Sequence, residues 1–489
     1  MKSWLKQSKS LQKSLKKVEN SLAKITAVID IGSNSLTLVI YKKTSRLAFY
    51  QLHREKYKIK IGEGSYNHNG YLQDEPMQRA YEALRDFSYI IKAFKARKTL
   101  CVATSALRDA PNRMEFIKKV DKELGIKIKV IDGDKESFFG AVSSINLLPK
   151  FKEFTTIDIG GGSTEFAKVV NGRVEKTISL QLGHVRVNEK CNSIVEKKKF
   201  IQDELKKLDD IFKSDIVVTI GGTAREVAKF VQKKKSYPLK DLHCFEYDFD
   251  DAKSYLDMLV LMDIDKLKKS ISKSRVDTIV DGALILEQSL QKLSSKSVVV
   301  NKFGVREGVY LKDLLRNLGL NFPKNFKLNQ RLLLDRFAQN TKINNYYQNI
   351  AIKLYDSLYT HDKYKDTVGF CSKLLLLNDM NFYSWVEYLH FGYEHSEKVT
   401  IAYLMQSFLD DEMDEKLYKK YSELLPSFEE LESLFFVLKL TSLLAKDMNI
   451  QPVKIQRKED CLEVKIDISK LTIKQIEELK SPIMIRIIK

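Results

Sequence analysis

The residues best suited to chemistry lie in Thr155-Thr156-Ile157-Asp158-Ile159-Gly160-Gly161-Gly162-Ser163-Thr164-Glu165: a short apolar strand ending in an acid, then glycines, hydroxyls and a second acid. Glycine lacks a Cβ and tolerates φ > 0, so successive N–H groups can converge on an anion. The hydroxyls add donors, and an acid at the strand end can hold Mg²⁺ through water. The design recurs at Ile29-Asp30-Ile31-Gly32-Ser33-Asn34-Ser35. One such loop is equally compatible with a hairpin turn. Two in one chain point to phosphate held by Gly32, Ser33, Asn34 and Ser35 on one side and by Gly160, Gly161, Gly162, Ser163 and Thr164 on the other. A third turn, Gly221-Gly222-Thr223, follows an apolar run and opens a helix whose first amides can receive an anion. Arg108 ends a strand that runs from Thr99 through the hydroxyls Thr104-Ser105, which puts its guanidinium at the mouth of a sheet.

The surrounding patterns supply a scaffold. Residues 25–29 and 36–41 read as strands on either side of the first loop, and residues 156–159 and 165–170 flank the second, the latter passing through an Asn171-Gly172 turn to residues 174–180. Two further strands are expected at 47–52 and 57–61, a helix after Pro76, a buried strand at 99–108, a helix at 112–124 and a strand at 126–131. Two successive units that begin alike predict a duplicated fold with the ligand between its halves. The duplicated part ends near Leu315, and residues 316–327, with Gly319 and Pro323, predict a linker. Residues 328–449 are helical in pattern, and the C-terminal end returns to strands at 461–468 and 483–488 around a helix. Residues 1–23 place Leu11, Leu15, Val18 and Leu22 at helical spacing among lysines, predicting a basic amphipathic helix.

A chain of 489 residues predicts about three domains. Its net charge of +19, with lysines clustered at 197–199, 233–235 and 266–269, attracts polyanions such as nucleic acid, acidic lipid or phosphate chains. The five cysteines are scattered singly, with no C-x-x-C pair and no histidine spacing for zinc, as expected in a reducing cytoplasm. There is no apolar run of about 18 residues and no signal-peptide pattern, so neither a membrane span nor export is expected.

Taken in order, Asp30-x-Gly32-Ser33-Asn34-Ser35, Ser105-x-x-Arg108, Gly133-x-x-Glu136, Asp158-x-Gly160-Gly161-Gly162-Ser163-Thr164-Glu165, Gly221-Gly222-Thr223 and Arg306-Glu307-Gly308 resemble the exopolyphosphatase / guanosine pentaphosphate phosphatase family over residues 24–315. The resemblance implies an α/β architecture of the actin-like, Hsp70-like kind. Two ribonuclease-H-like halves, 24–135 (rejoined by 302–315) and 136–301, would face across a cleft, followed by a mostly helical domain at 328–489 with a small α+β end.

The resemblance also implies roles. Glu136 would be the base that orients and deprotonates the attacking water, and Arg108 would stabilise charge on the transferring phosphoryl group. Asp158, with Asp30 and Glu165, would hold Mg²⁺, largely through water. Where the family has an Ile-Ser-Gly-x-Glu-Glu-Ala type segment, this chain has Ile131-Asp132-Gly133-Asp134-Lys135-Glu136-Ser137, which keeps the base but precedes it with a lysine. In some relatives the helical domain resembles an HD phosphohydrolase. Here Leu377-Asn378-Asp379 stands where His-Asp would, with His361 upstream and His390 and His395 downstream, which predicts a degenerate domain that is structural, dimer-forming or substrate-guiding.

The predicted function is Mg²⁺-dependent release of terminal orthophosphate from inorganic polyphosphate, from guanosine pentaphosphate to leave the tetraphosphate, or from both. A cytoplasmic homodimer with no specific nucleic-acid partner is expected. Two other readings stay open. A non-catalytic sensor of alarmone or polyphosphate needs the loops but not the base, and an ATP-using kinase needs an adenosine pocket, for which only Gly221-Gly222-Thr223 offers material.

Overall fold

The computed structural model describes residues 25–488 except 66, 150, 273–274, 339–340, 378–379, 390, 447–452, 460, 467 and 480–482; the basic helix expected over 1–23 lies outside the described residues. The chain divides into two compact units between Phe326 and Lys327.

The first unit opens with an antiparallel meander of β1 (Ile25–Ile31), β2 (Ser35–Lys43) and β3 (Phe49–Lys58). It continues through α1 (Asp74–Ala93), β4 (Lys98–Ala103), α2 (Ser105–Asp109), α3 (Arg113–Leu124) and β5 (Ile128–Val130). The sheet order is β3-β2-β1-β4-β5, with β4 parallel to β1 and β5 parallel to β4. After α4 (Gly133–Leu147) the plan repeats as β6 (Glu153–Ile159), β7 (Thr164–Val170), β8 (Arg173–Leu180), α5 (His184–Lys190), α6 (Ile194–Leu205), β9 (Ile216–Ile220) and α7 (Gly221–Lys234). The unit ends with β10 (Glu246–Asp248), α8 (Phe249–Leu261), α9 (Ile264–Ser270), α10 (Ile279–Lys292), β11 (Ser297–Val300) and α11 (Val305–Leu314). Its second sheet runs β10-β11-β9-β6-β7-β8. Matching β6, β7, β8, β9 and β11 to β1, β2, β3, β4 and β5 reproduces the first plan, with β10 as an added edge strand. Both halves are thus mixed sheets of ribonuclease-H-like order.

Side-chain patterning explains the placement of these strands. In β1 and β2, Ala27, Val28, Ile29, Leu38, Val39 and Ile40 are all buried on consecutive positions, as strands covered on both faces require. The edge strand β3 instead alternates between half-buried and exposed residues through its second half. It spans what the sequence pattern divides into two strands, because the charged run His53-Arg54-Glu55-Lys56 masks the inward-facing Leu52 and Tyr57 that pack on the first core. Helix α1 covers that core with Ala80, Ala83, Leu84 and Phe87, and the second half is built on Val217, Val227, Leu256, Leu284 and Val298.

The second unit is helical from Leu328 to Leu444, around the fully buried Trp385, Tyr355, Tyr403 and Phe370. It ends in a three-stranded sheet ordered β12 (Lys454–Lys458), β13 (Cys461–Lys465), β14 (Met484–Ile488). The parallel pair β13 and β14 is joined through the helix Lys470–Glu477, as a parallel connection demands. Strand β12 escaped the sequence pattern because its residues are almost all polar and exposed on an edge. His361 is exposed, with its Nδ1 3.3 Å from the Tyr355 hydroxyl, and His395 is buried. Asn378, Asp379 and His390 lie outside the described residues. No helix among the described residues is long and apolar enough to cross a membrane.

Candidate active site

The two acid-glycine loops occupy matching positions, at the β1–β2 and β6–β7 turns, and each is backed by a second segment that takes up its carbonyls. In the first loop Ser33 O accepts from Gly62 N at 3.1 Å, and Asn34 O accepts from Ile59 N and Lys60 N at 3.1 and 3.0 Å. In the second, Gly160 O and Gly161 O accept from His184 N and Val185 N at 3.2 and 2.8 Å, and Gly162 O accepts from Arg186 Nε at 2.7 Å. Gly32 N and Gly160 N close their own loops onto Ser35 O at 3.1 Å and Ser163 O at 2.9 Å, and holding the other carbonyls from behind leaves the N–H groups of the loop tips for the space between the halves. Gly183 makes this possible: a Cβ there would stand 2.3 Å from Gly161 O, so no larger residue lets the backing segment approach. The loops themselves nearly meet, since a Cβ on Gly161 would lie 3.0 Å from Ser33 Cβ.

Between them is a cavity of about 140 Å³ whose wall includes Asp30, Asp158 and Glu136. Arg108 Nη1 donates to Glu136 Oε2 at 2.9 Å, and its Nη2 reaches Ser163 Oγ at 3.3 Å. Burial, then the charge of Glu165, pushes Glu136 well above the usual carboxylate range, with Arg108 opposing. Burial and the neighbouring Asp30 raise Asp158 to about 6. Burial drives Glu165 up to about 7, against hydrogen bonds that include Ser179 Oγ at 2.8 Å. Four acids so placed form a site that gains from a cation.

Lys135 does not disturb this arrangement. It turns back onto Asp132, whose carboxylate also caps α4 by accepting from Lys135 N at 2.8 Å, while Asp134 accepts from Thr177 Oγ1 at 3.0 Å.

The same wall carries cations, Lys56, Arg225, Arg275, Lys302 and Arg306, interleaved with the acids. Arg306 pairs with Asp30 at 3.4 Å. Its neighbour Glu307 accepts from the Tyr41 hydroxyl at 2.6 Å and from Gly304 N at 2.8 Å. Partial desolvation, followed by the charges of Arg275 and Arg225, lowers Lys56 to about 8. Burial, then Arg306 and Arg275, lowers Arg225 to about 10. Cations that depress one another in this way make a strong anion site.

Of the residues singled out from sequence, Asp30, Gly32, Ser33, Asn34, Ser35, Glu136, Asp158, Gly160, Gly161, Gly162, Ser163, Gly221 and Gly222 line the cavity. Arg108 and Glu165 stand one layer behind, the first touching it through Glu136 and Ser163. Two hydroxyls are not brought in. Thr164 Oγ1 donates to Leu182 O, because strand alternation turns it to the face opposite Glu165, and Thr223 packs against Gly282 of α10. Sequence reasoning missed Lys56, His184, Arg225, Arg275 and Lys302. The duplication carries a signal for one of them: β4 and β9 are matching strands, each runs into a helix, and an arginine sits near the start of both helices, Arg108 and Arg225.

The description of the Ppx/GppA phosphatase family matches residues 39–317. The chain belongs to that family. It is 31% identical over 301 residues to the bifunctional 3-dehydroquinate synthase/phosphatase of Fusobacterium nucleatum, covering 57% of this chain but only 45% of that protein. It is 25% identical over 314 residues to exopolyphosphatase 2 of Mycobacterium tuberculosis, covering 58% of this chain and 97% of that one. Among solved structures, the Aquifex aeolicus member of the Ppx/GppA family aligns with a TM-score of 0.53 at 26% identity, over 61% of this chain and 99% of the other. These alignments place the Ppx/GppA part in the first unit.

A divalent cation suits the hard oxygen donors of Asp30 and Asp158. Among the described residues, however, no three acidic, histidine or cysteine side chains form a ready cage. A hard divalent cation held by two carboxylates would keep several waters and take further ligands from phosphates.

Proposed function

We propose that the chain is a Mg²⁺-dependent phosphohydrolase that releases terminal orthophosphate from inorganic polyphosphate, guanosine pentaphosphate or both. The observation that carries this reading is the Arg108–Glu136 pair at 2.9 Å, sheltered between two glycine loops beside Asp158 and Asp30. Phosphoanhydride hydrolysis passes through a loose transition state, so catalysis lies in positioning, charge neutralisation and an oriented water. Amides and hydroxyls of the loop tips, residues 33–35 and 161–163, hold the terminal phosphate. Glu136 accepts a proton from the attacking water, and Arg108 favours the ionised form of that carboxylate, aims it and stabilises charge on the transferring phosphoryl group. Asp158 and Asp30, with Glu165 behind, would hold Mg²⁺, which when bound neutralises phosphate charge. The cations of the cavity wall that are not paired with its acids receive the rest of the polyanion. The helical unit is given a structural role, including contact with a second copy.

The test is phosphate release by purified protein from polyphosphate, guanosine pentaphosphate and ATP, with Glu136→Gln as control. Release from either of the first two, abolished by the substitution, is the expected result. If wild type and variant bind equally and neither releases phosphate, the chain is a sensor and the hydrolase reading falls. Preference for ATP with an acceptor would favour a kinase.

A further inference from the structure

Buried polar atoms without partners are uncommon, and those on a cavity wall mark what a ligand must satisfy. Three side chains of the cavity wall carry such atoms: Asn34 at Oδ1, Arg306 at Nε and His184 at Nδ1. Asn34 belongs to a glycine loop, and Arg306 is already committed to Asp30. His184 has no such assignment. Its residue is only 3% exposed, yet it lines the cavity, and its backbone N–H is fixed on Gly160 O. Gly183 before it and Val185 after it are locked against Gly161, so the imidazole is carried by the same rigid segment that shapes the second loop.

The ring is a neutral one. Burial, then the charges of Arg275 and Lys58, lowers His184 to about 3. A neutral imidazole offers one N–H and one acceptor, and which nitrogen holds the proton is set by its partners. Facing an anion, Nδ1 is the donor. The charges acting on the ring are those of Arg275, which also lines the cavity, and of Lys58.

From this geometry we infer that His184 is a substrate-positioning residue: its Nδ1–H donates to a non-bridging oxygen of the phosphate that follows the one being released. The inference rests on the phosphohydrolase reading and deepens it. A donor at that place fixes the chain behind the terminal phosphate without touching the attacking water, so it governs binding and leaves the chemical step alone.

The experiment uses the full chain carrying Glu136→Gln and inorganic tripolyphosphate as probe, with binding measured by calorimetry. Adding His184→Leu should weaken binding roughly 10-fold, whereas His184→Asn, whose side-chain amide can supply an N–H, should stay within about 3-fold, with unfolding temperature unchanged in both. In an otherwise wild-type chain, His184→Leu should raise KM by a similar factor and leave kcat within about 3-fold. Binding unchanged in both variants overturns the inference. Equal weakening in both, with a fall in unfolding temperature, also overturns it, since the ring would then only fill space. If the Glu136→Gln chain binds no tripolyphosphate at all, the phosphohydrolase reading fails first and takes this inference with it.

Discussion

Arg108 and Glu136 meet at 2.9 Å although they come from different helices on either side of β5, and the same guanidinium reaches Ser163 in the other glycine loop. One arginine therefore aligns the proposed base with one of the phosphate-holding loops. Glu136→Gln should lower kcat about 10³-fold while KM changes less than about 3-fold, read from steady-state phosphate release. Arg108→Ala should shift the acidic limb of the pH–rate profile to higher pH, because the guanidinium is what opposes the raised pKa of Glu136. An unmoved limb would mean that the pair does not set the base.

Glu165 links the site to stability. Its folded carboxyl holds a proton up to about pH 7, against 4.5 for the ordinary glutamate. The folded state binds the extra proton, so in metal-free protein stability should fall as pH rises from about 4.5 to 7, by on the order of a few kcal/mol. Urea unfolding in the presence of chelator should show this slope in wild type and a flatter one in Glu165→Gln.

Lys56 predicts a basic limb. It loses its proton near pH 8 in the free protein, so KM for a polyphosphate substrate should rise as pH climbs through 8. Lys56→Arg, charged throughout that range, should remove the rise. An identical KM profile in the two proteins would place Lys56 off the substrate path.

Asp158→Asn tests the metal. Mg²⁺ at about a hundred times its dissociation constant should stabilise wild type by about 2.7 kcal/mol, and the variant by much less, in thermal melts with and without EDTA.

The Tyr41 hydroxyl at 2.6 Å from Glu307 is the support furthest from the chemistry. Tyr41→Phe leaves a buried carboxylate oxygen short of one donor and should cost about 1–3 kcal/mol in urea unfolding. Because Glu307 neighbours Arg306, KM should rise as well.

The loops were legible in the sequence because each is local: acid, glycine and hydroxyl stand within a few residues, and the duplication repeats them, whereas Glu136 was singled out only through the family resemblance. The cations of the wall were not legible, since Lys56 on an edge strand, Arg225 on a helix and Arg275 in a connecting segment converge only once both sheets are formed. Motif spacing also over-reached at Thr164 and Thr223. Their hydroxyls sit in the right stretch of chain, but strand alternation and helix rotation aim them at Leu182 O and Gly282. His184 follows a glycine that looks like any loop residue until Gly183 is seen pressed on Gly161.

The pairing of Asp30 with Arg306 joins residues 276 positions apart, one in the first described strand and the other in the last helix of the unit. The order of biosynthesis then matters. A nascent chain displays its first acid-glycine loop early, but its acid stays unmatched until residue 306 has been made and α11 has folded onto α4. A chain that ends before that helix therefore lacks the cation paired with its first acid, so the cavity between the halves is a product of the completed unit.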